Sequence, residues 1–191
     1  MGPGTRPTQA RSEGQRDLTE LQQIRDGLLK DRVAAINRGK HLRTPVGKRV
    51  TKQRLRQIER QLKVIDAEIL TSIPGISDVT AAGLIVHLPE LGTLTSARAA
   101  SLAGLAPVTR ESGYWKGRGF IQGGRHRVRR LLYMPAMAAV QHNPDLKRKY
   151  EALVARGKPP KVALTTVMRK LLILANVLVQ QDRTWTAHPP G

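Results

Sequence analysis

Between Leu55 and Ile69 the apolar residues Leu55, Ile58, Leu62, Ile65 and Ile69 recur at alternating steps of three and four. A repeat averaging about 3.5 residues keeps one narrow stripe on a helix turned toward a single neighbour. A strand has no use for it, because strand side chains alternate every second residue. The seam therefore predicts a long helix. A second helical stripe precedes it at Leu18, Leu21, Ile24, Leu28, Leu29, Val33 and Ile36. Between the stripes, Gly39, Pro45 and Gly47 are expected to break the helix. Residues 16–69 thus read as a helical hairpin or coiled coil, packed on itself or on a second subunit, and a homo-oligomer is the expected state.

The same hairpin carries an unbalanced charge. From Arg32 to Ile58 there is no acid and nine residues are Lys or Arg. The whole chain has 33 Lys and Arg against 14 Asp and Glu, a formal net charge of +19. Such a chain repels itself unless a polyanion is near, and nucleic acid is the commonest one. An anionic membrane surface or an RNA scaffold would satisfy the same arithmetic, so charge gives a class of partner. The chain has no cysteine, which excludes disulfides and thiolate zinc sites. Its five histidines (His41, His87, His126, His142, His188) lack paired ligand spacing, so no metal site is predicted. Residues 1–15 have no apolar core of a signal peptide and read as a disordered arm. The most apolar window, Leu171 to Val179, follows Arg169 and Lys170 and falls short of the roughly twenty residues of a membrane span. No membrane partner and a cytoplasmic location are expected.

Residues 70–88 join two apolar segments through Ile73-Pro74-Gly75-Ile76. Gly75 can take a positive φ and turn backbone N–H groups outward, while Ser77 or Asp78 caps the next helix. Backbone donors at a helix start suit a phosphate oxygen, and the segment looks like a helix-hairpin-helix. Ser77 stands where that motif usually has a second glycine. The alternative is an ordinary turn between core helices. Ser96 to Pro107 follows as a small-residue helix stopped by Gly104 and Pro107, suited to close packing.

Glu111 to Arg130, ESGYWKGRGFIQGGRHRVRR, combines five glycines with Lys116, Arg118, Arg125, Arg127, Arg129 and Arg130. Four of the chain's six aromatic residues, Tyr114, Trp115, Phe120 and Tyr133, lie in or beside it, and no acid occurs between Glu111 and Asp145. Aromatic rings among cations and glycines suit stacking on unpaired bases with phosphate contacts alongside. It is not a Walker loop, since no Gly-Lys-Ser/Thr stands at the required spacing. Residues 126–181 are expected to be helical, with a kink or split at Pro135 and turns at Asn143-Pro144 and Gly157 to Pro160. In the last helix Val162, Leu164, Val167, Leu171, Leu174 and Leu178 are expected to face the core. Residues 183–191 read as a disordered tail. The fold class is mainly α: a helical hairpin, then a helical domain holding the helix-hairpin-helix and a glycine-rich basic loop over 111–125.

The order SIPGI, TAAGLI, SARAASLAGLAP, ESGYWKGRGFIQGG and HNPDLKRKYEALVARGKPPKVALTTVMRKLL resembles the C-terminal domain of insertion-sequence family 110 transposases, relatives of Piv-type invertases, also called transposase family 20. The resemblance covers about Leu70 to Val179, within a domain of 70–182. It implies a bacterial, nucleoid-associated, bridge-RNA-guided DNA recombinase whose partners are DNA and a guide RNA. It also implies that Ser112, followed by Gly113, is the nucleophile attacking a DNA phosphodiester. A hydroxyl needs activation and positive charge at the transition state, and Lys116, Arg118 and Arg125 are candidates to supply it. The nucleic-acid-binding set comprises Ile73, Gly75, Ile76, Ser77, Gly113, Trp115, Lys116, Arg118, Arg125, Arg127, Arg129, Arg130, Lys158, Arg169 and Lys170. The family's N-terminal RuvC-like domain, whose acids bind magnesium, is expected to be missing here and to act as a separate partner. Mg2+ is therefore expected only with that domain. The competing readings are a truncated, non-catalytic DNA- or RNA-binding remnant and a basic RNA-scaffold protein.

Overall fold

The computed structural model describes residues 13–108, 111–112, 115–116 and 120–187, of which 13–19, 111–112 and 115–116 are described by their backbone course alone. The chain divides into two compact units, 1–62 and 63–191.

The first unit holds α1 (Glu13–Lys40) and most of α2 (Pro45–Thr71), which runs through the division. The break between them is shorter than the sequence suggests. Pro45 begins α2, where its fixed φ suits a helix start and its missing N–H costs nothing. The Thr44 hydroxyl accepts from the Gly47 amide at 3.2 Å, and the Thr44 carbonyl accepts from Lys48 at 3.1 Å. Gly47, expected as a breaker, is thus inside the first turn. Asp31 and Arg54 join α1 to α2 at 3.1 Å, both half-exposed, a pair worth roughly 0.2–1 kcal/mol. Ala35 and Ile58 are buried. The α1 stripe is only partly covered, since Ile24, Val33 and Ile36 are exposed.

The second unit contains the end of α2, α3 (Asp78–His87), α4 (Ser96–Leu102), α5 (His126–Leu131), α6 (Tyr133–His142), α7 (Pro144–Ala155) and α8 (Pro160–Gln180). Four two-residue strands lie between α4 and α5: β1 (Pro107–Val108), β2 (Glu111–Ser112), β3 (Trp115–Lys116) and β4 (Phe120–Ile121). The fold is mainly α, as the helical periods require. Helix α8 forms the centre, packing on α4, α6 and α7, while α3 packs on α5. Val167, Leu171, Leu172 and Leu178 are fully buried, and each such side chain contributes about 1.5–3 kcal/mol. The buried Asn176 is satisfied: its Oδ1 accepts from Gly92 at 2.9 Å and its Nδ2 donates to Leu94 at 2.7 Å.

Three expectations need correcting in this unit. Val162 is 51% exposed, because α8 buries the Ala163, Val167, Met168 and Leu171 face and leaves Val162 outside it. Helix α8 is also long and apolar enough to span a membrane, by length and composition; counting consecutive apolar residues missed this. Its Ala163, Val167, Leu171, Leu172 and Leu178 are nevertheless buried, and the helix packs on α4, α6 and α7. Third, Arg183 to Trp185 are not a loose tail: the Arg183 amide donates to Leu178 at 3.1 Å and the Trp185 amide to the Ser72 hydroxyl at 2.8 Å. Pro135 behaves as expected. The helical stretch splits at Leu132, leaving Pro135 in the first turn of α6.

Candidate nucleic-acid interface

The turn from α2 into α3 was expected to present backbone to solvent. Gly75 does have a positive φ, 103°. It faces inward, however: a Cβ there would lie 2.7 Å from the Ala139 amide nitrogen and 2.8 Å from the Pro135 carbonyl oxygen. Glycine is needed because α6 passes against the turn. Ile73 and Ile76 are buried, and the Ile76 amide is spent on the Ile73 carbonyl at 2.9 Å. Ile73 and Ile76 thus hold the turn in the core, while Gly75 stays half-buried. Ser77 alone of this set is exposed; its hydroxyl accepts from Thr80 at 3.4 Å and caps α3.

The strands form two nested antiparallel pairs. Pro107 pairs with Ile121 and Val108 with Phe120 in the outer pair. Inside it in sequence, Glu111 pairs with Lys116 and Ser112 with Trp115. The backbone thus sets Ser112 directly opposite Trp115. Gly113 and Arg118 lie outside the described residues.

The cations after the ribbon divide into two groups. Arg125 forms a two-pronged pair with Glu90, both contacts at 2.7 Å, and also donates to the His87 carbonyl at 3.2 Å. The Arg125 hydrogen bond, aided by a backbone one, lowers the Glu90 pKa to about 2, and Glu90 in turn raises that of Arg125. Arg129 donates to the carbonyls of Gly104 at 3.2 Å and Gly123 at 2.9 Å. It ties the ribbon's return to the end of α4, where Gly104 and Gly124 approach backbone to backbone. Arg125 and Arg129 are therefore largely committed inside the domain. Arg127 and Arg130 are exposed.

Arg130 lines a groove of about 520 Å³ with His126, Tyr133, Lys161, Thr165 and the apolar Met168. At its end, Ile121 and Thr165 lead into a hollow of about 420 Å³ bordered by Phe120 and Arg169. The sequence pointed to Tyr133 as a stacking ring but not to His126 and Lys161 beside it. The signal was spacing: His126 and Arg130, like Lys161 and Thr165, are four apart and share a helix face. The other expected cations lie elsewhere. Lys158 is exposed between α7 and α8, and Lys170 borders a separate hollow with Asp145 and Trp185.

A sequence model described as the transposase IS116/IS110/IS902 family matches residues 67–151, a span that includes the turn, the ribbon, α5 and α6. That stretch of the chain is therefore similar to the transposase domain of that family. It is 32% identical over 126 residues to an insertion element IS110 protein of Streptomyces coelicolor, covering 64% of this chain and 31% of that one. It is 31% identical over 121 residues to the pilin gene-inverting protein of Moraxella bovis, covering 61% and 38%. An insertion element IS116 protein of Streptomyces clavuligerus is 31% identical over 138 residues, covering 71% and 35%. The chain therefore spans about a third of the length of these relatives. Among the described residues no three His, Asp or Glu side chains group to hold a metal ion.

Proposed function

We propose that this chain is the strand-cutting and nucleic-acid-holding part of a DNA transposase or site-specific recombinase, with Ser112 as nucleophile. The match over 67–151 carries the reading, since that span holds both the Ser112 ribbon and the basic helix α5. In this scheme the Ser112 Oγ–P bond forms as a bridging P–O bond of DNA breaks. The serine proton passes to a base, and the leaving deoxyribose oxygen takes up a proton. Positive charge nearby stabilises the crowded phosphorus, with Lys116 the candidate whose strand pairs with that of Ser112. DNA and a guide RNA are the partners, a homo-oligomer built on the α2 seam is the assembly, and a RuvC-like domain supplies the acids and magnesium.

The test supplies the chain with a RuvC-like domain, magnesium, guide RNA and a DNA junction, and seeks a protein–DNA adduct on a denaturing gel. Wild type should give a protease-sensitive adduct and Ser112→Ala none, with DNA binding retained. An adduct persisting in Ser112→Ala points to another hydroxyl. A second reading, binding without chemistry, is favoured by the engagement of Arg125 with Glu90, which removes one of the three cations expected to assist Ser112. The absence of adduct from both proteins would establish it.

A further inference from the structure

Resting on the nucleic-acid reading above, we infer that the groove between α5–α6 and α8 holds unpaired nucleotides, with a base against Tyr133 and phosphates at Arg130 and Lys161. The groove's polar and apolar parts decide the occupant together. Two of its three Lys and Arg side chains are left over: unlike Arg129, which also lines it, Arg130 and Lys161 have no side-chain ion pair or hydrogen bond among the described residues. No acid lines the groove, so an anion entering it meets one sign of charge. Phosphate alone would have no use for the apolar part of the lining, which is Ile121, Leu164 and Met168 around a Tyr133 that is 46% exposed. An occupant must bring a flat apolar face as well as negative charge. A nucleotide in a duplex keeps its faces stacked inside the helix, whereas an unpaired one offers a face to an aromatic ring.

The track continues. A hollow of about 240 Å³ shares Tyr133, Lys161 and Leu164 with the groove and adds Tyr150 of α7 near the start of α8, giving a second ring. The groove's volume of about 520 Å³ lies within the roughly 300–1,000 Å³ of ordinary ligand sites.

The test measures anisotropy of labelled oligothymidylate, oligouridylate, an abasic sugar-phosphate strand and a mixed-sequence duplex with wild type, Tyr133→Ala, Tyr133→Phe and Lys161→Ala. Tyr133→Ala should weaken oligothymidylate, oligouridylate or both by roughly five- to a hundredfold. Whichever strand responds identifies DNA, RNA or both as the source of the nucleotides. Tyr133→Phe keeps the ring and should bind within about twofold of wild type, while duplex and abasic affinities stay unchanged in both variants. Lys161→Ala should lower the single-strand salt slope by about one phosphate's worth. The inference falls if Tyr133→Ala leaves single-strand binding intact, weakens duplex or abasic strand equally, or is matched by Tyr133→Phe. If wild type still binds duplex in those cases, the groove assignment fails alone. If wild type binds neither duplex nor single strand, the nucleic-acid reading fails with it.

Discussion

At the residue scale, Arg125 shows what charge counting can and cannot read. It stands in the most basic stretch of the chain, and the sequence reading assigns it to phosphate. Its partner Glu90 is 35 residues away in the chain, at a distance that no local pattern reveals. Gly75 is similar: the positive φ was legible from Ile-Pro-Gly-Ile, but the direction it faces depended on α6, which comes some sixty residues later. The Glu90 pair carries a pH signature. The carboxyl is held at about 2 against an ordinary 4.5, so its contribution is complete above pH 4.5 and fades as pH falls through 2. Both side chains are about 40% exposed, so solvent screening keeps the gain small. Glu90→Gln should therefore lower the melting temperature slightly at pH 7, and the gap to wild type should close toward pH 2. A gap that widens in acid would contradict the assignment.

At the scale of elements, hydrophobic period located the helices well and their partners poorly. The a/d seam lies within α2 as expected. Yet Ile58, Ile65 and Ile69 are already buried in the single chain, while Leu55 and Leu62 are half-buried. Part of the seam thus serves the chain's own fold, and Leu62 is the position where a second copy would matter. Leu62→Asp should lower the oligomer order in sedimentation without abolishing folding, because it strands a charge mainly in an interface. Sedimentation identical to wild type would make the seam intramolecular throughout. The glycine-rich stretch from Glu111 was legible as strand and loop, but the bounds and pairing of the four short strands were not. Two-residue strands carry too little alternation to be read, and their pairing joins residues on either side of that loop.

At the scale of the whole molecule, the net charge of +19 is the feature on which every functional reading depends. The acid-free run from Arg32 to Ile58 is displayed: Arg32, Arg38, Lys40, Arg43, Lys48, Arg49, Lys52, Arg54 and Arg56 are all exposed. Among the described residues only Arg54 of these has an acidic partner. Balanced surfaces rarely leave so many cations unpaired, and a phosphate backbone would release counterions as it met them. The proposed transposase role would give a reason for that contact, and the basic hairpin provides a means. The most direct measurement is duplex DNA affinity across a series of salt concentrations. A phosphate-directed grip predicts log affinity falling with log salt at a slope on the order of −5 or steeper, made shallower by about two when Arg49 and Lys52 are both replaced by Ala. Affinity that is indifferent to salt would contradict it.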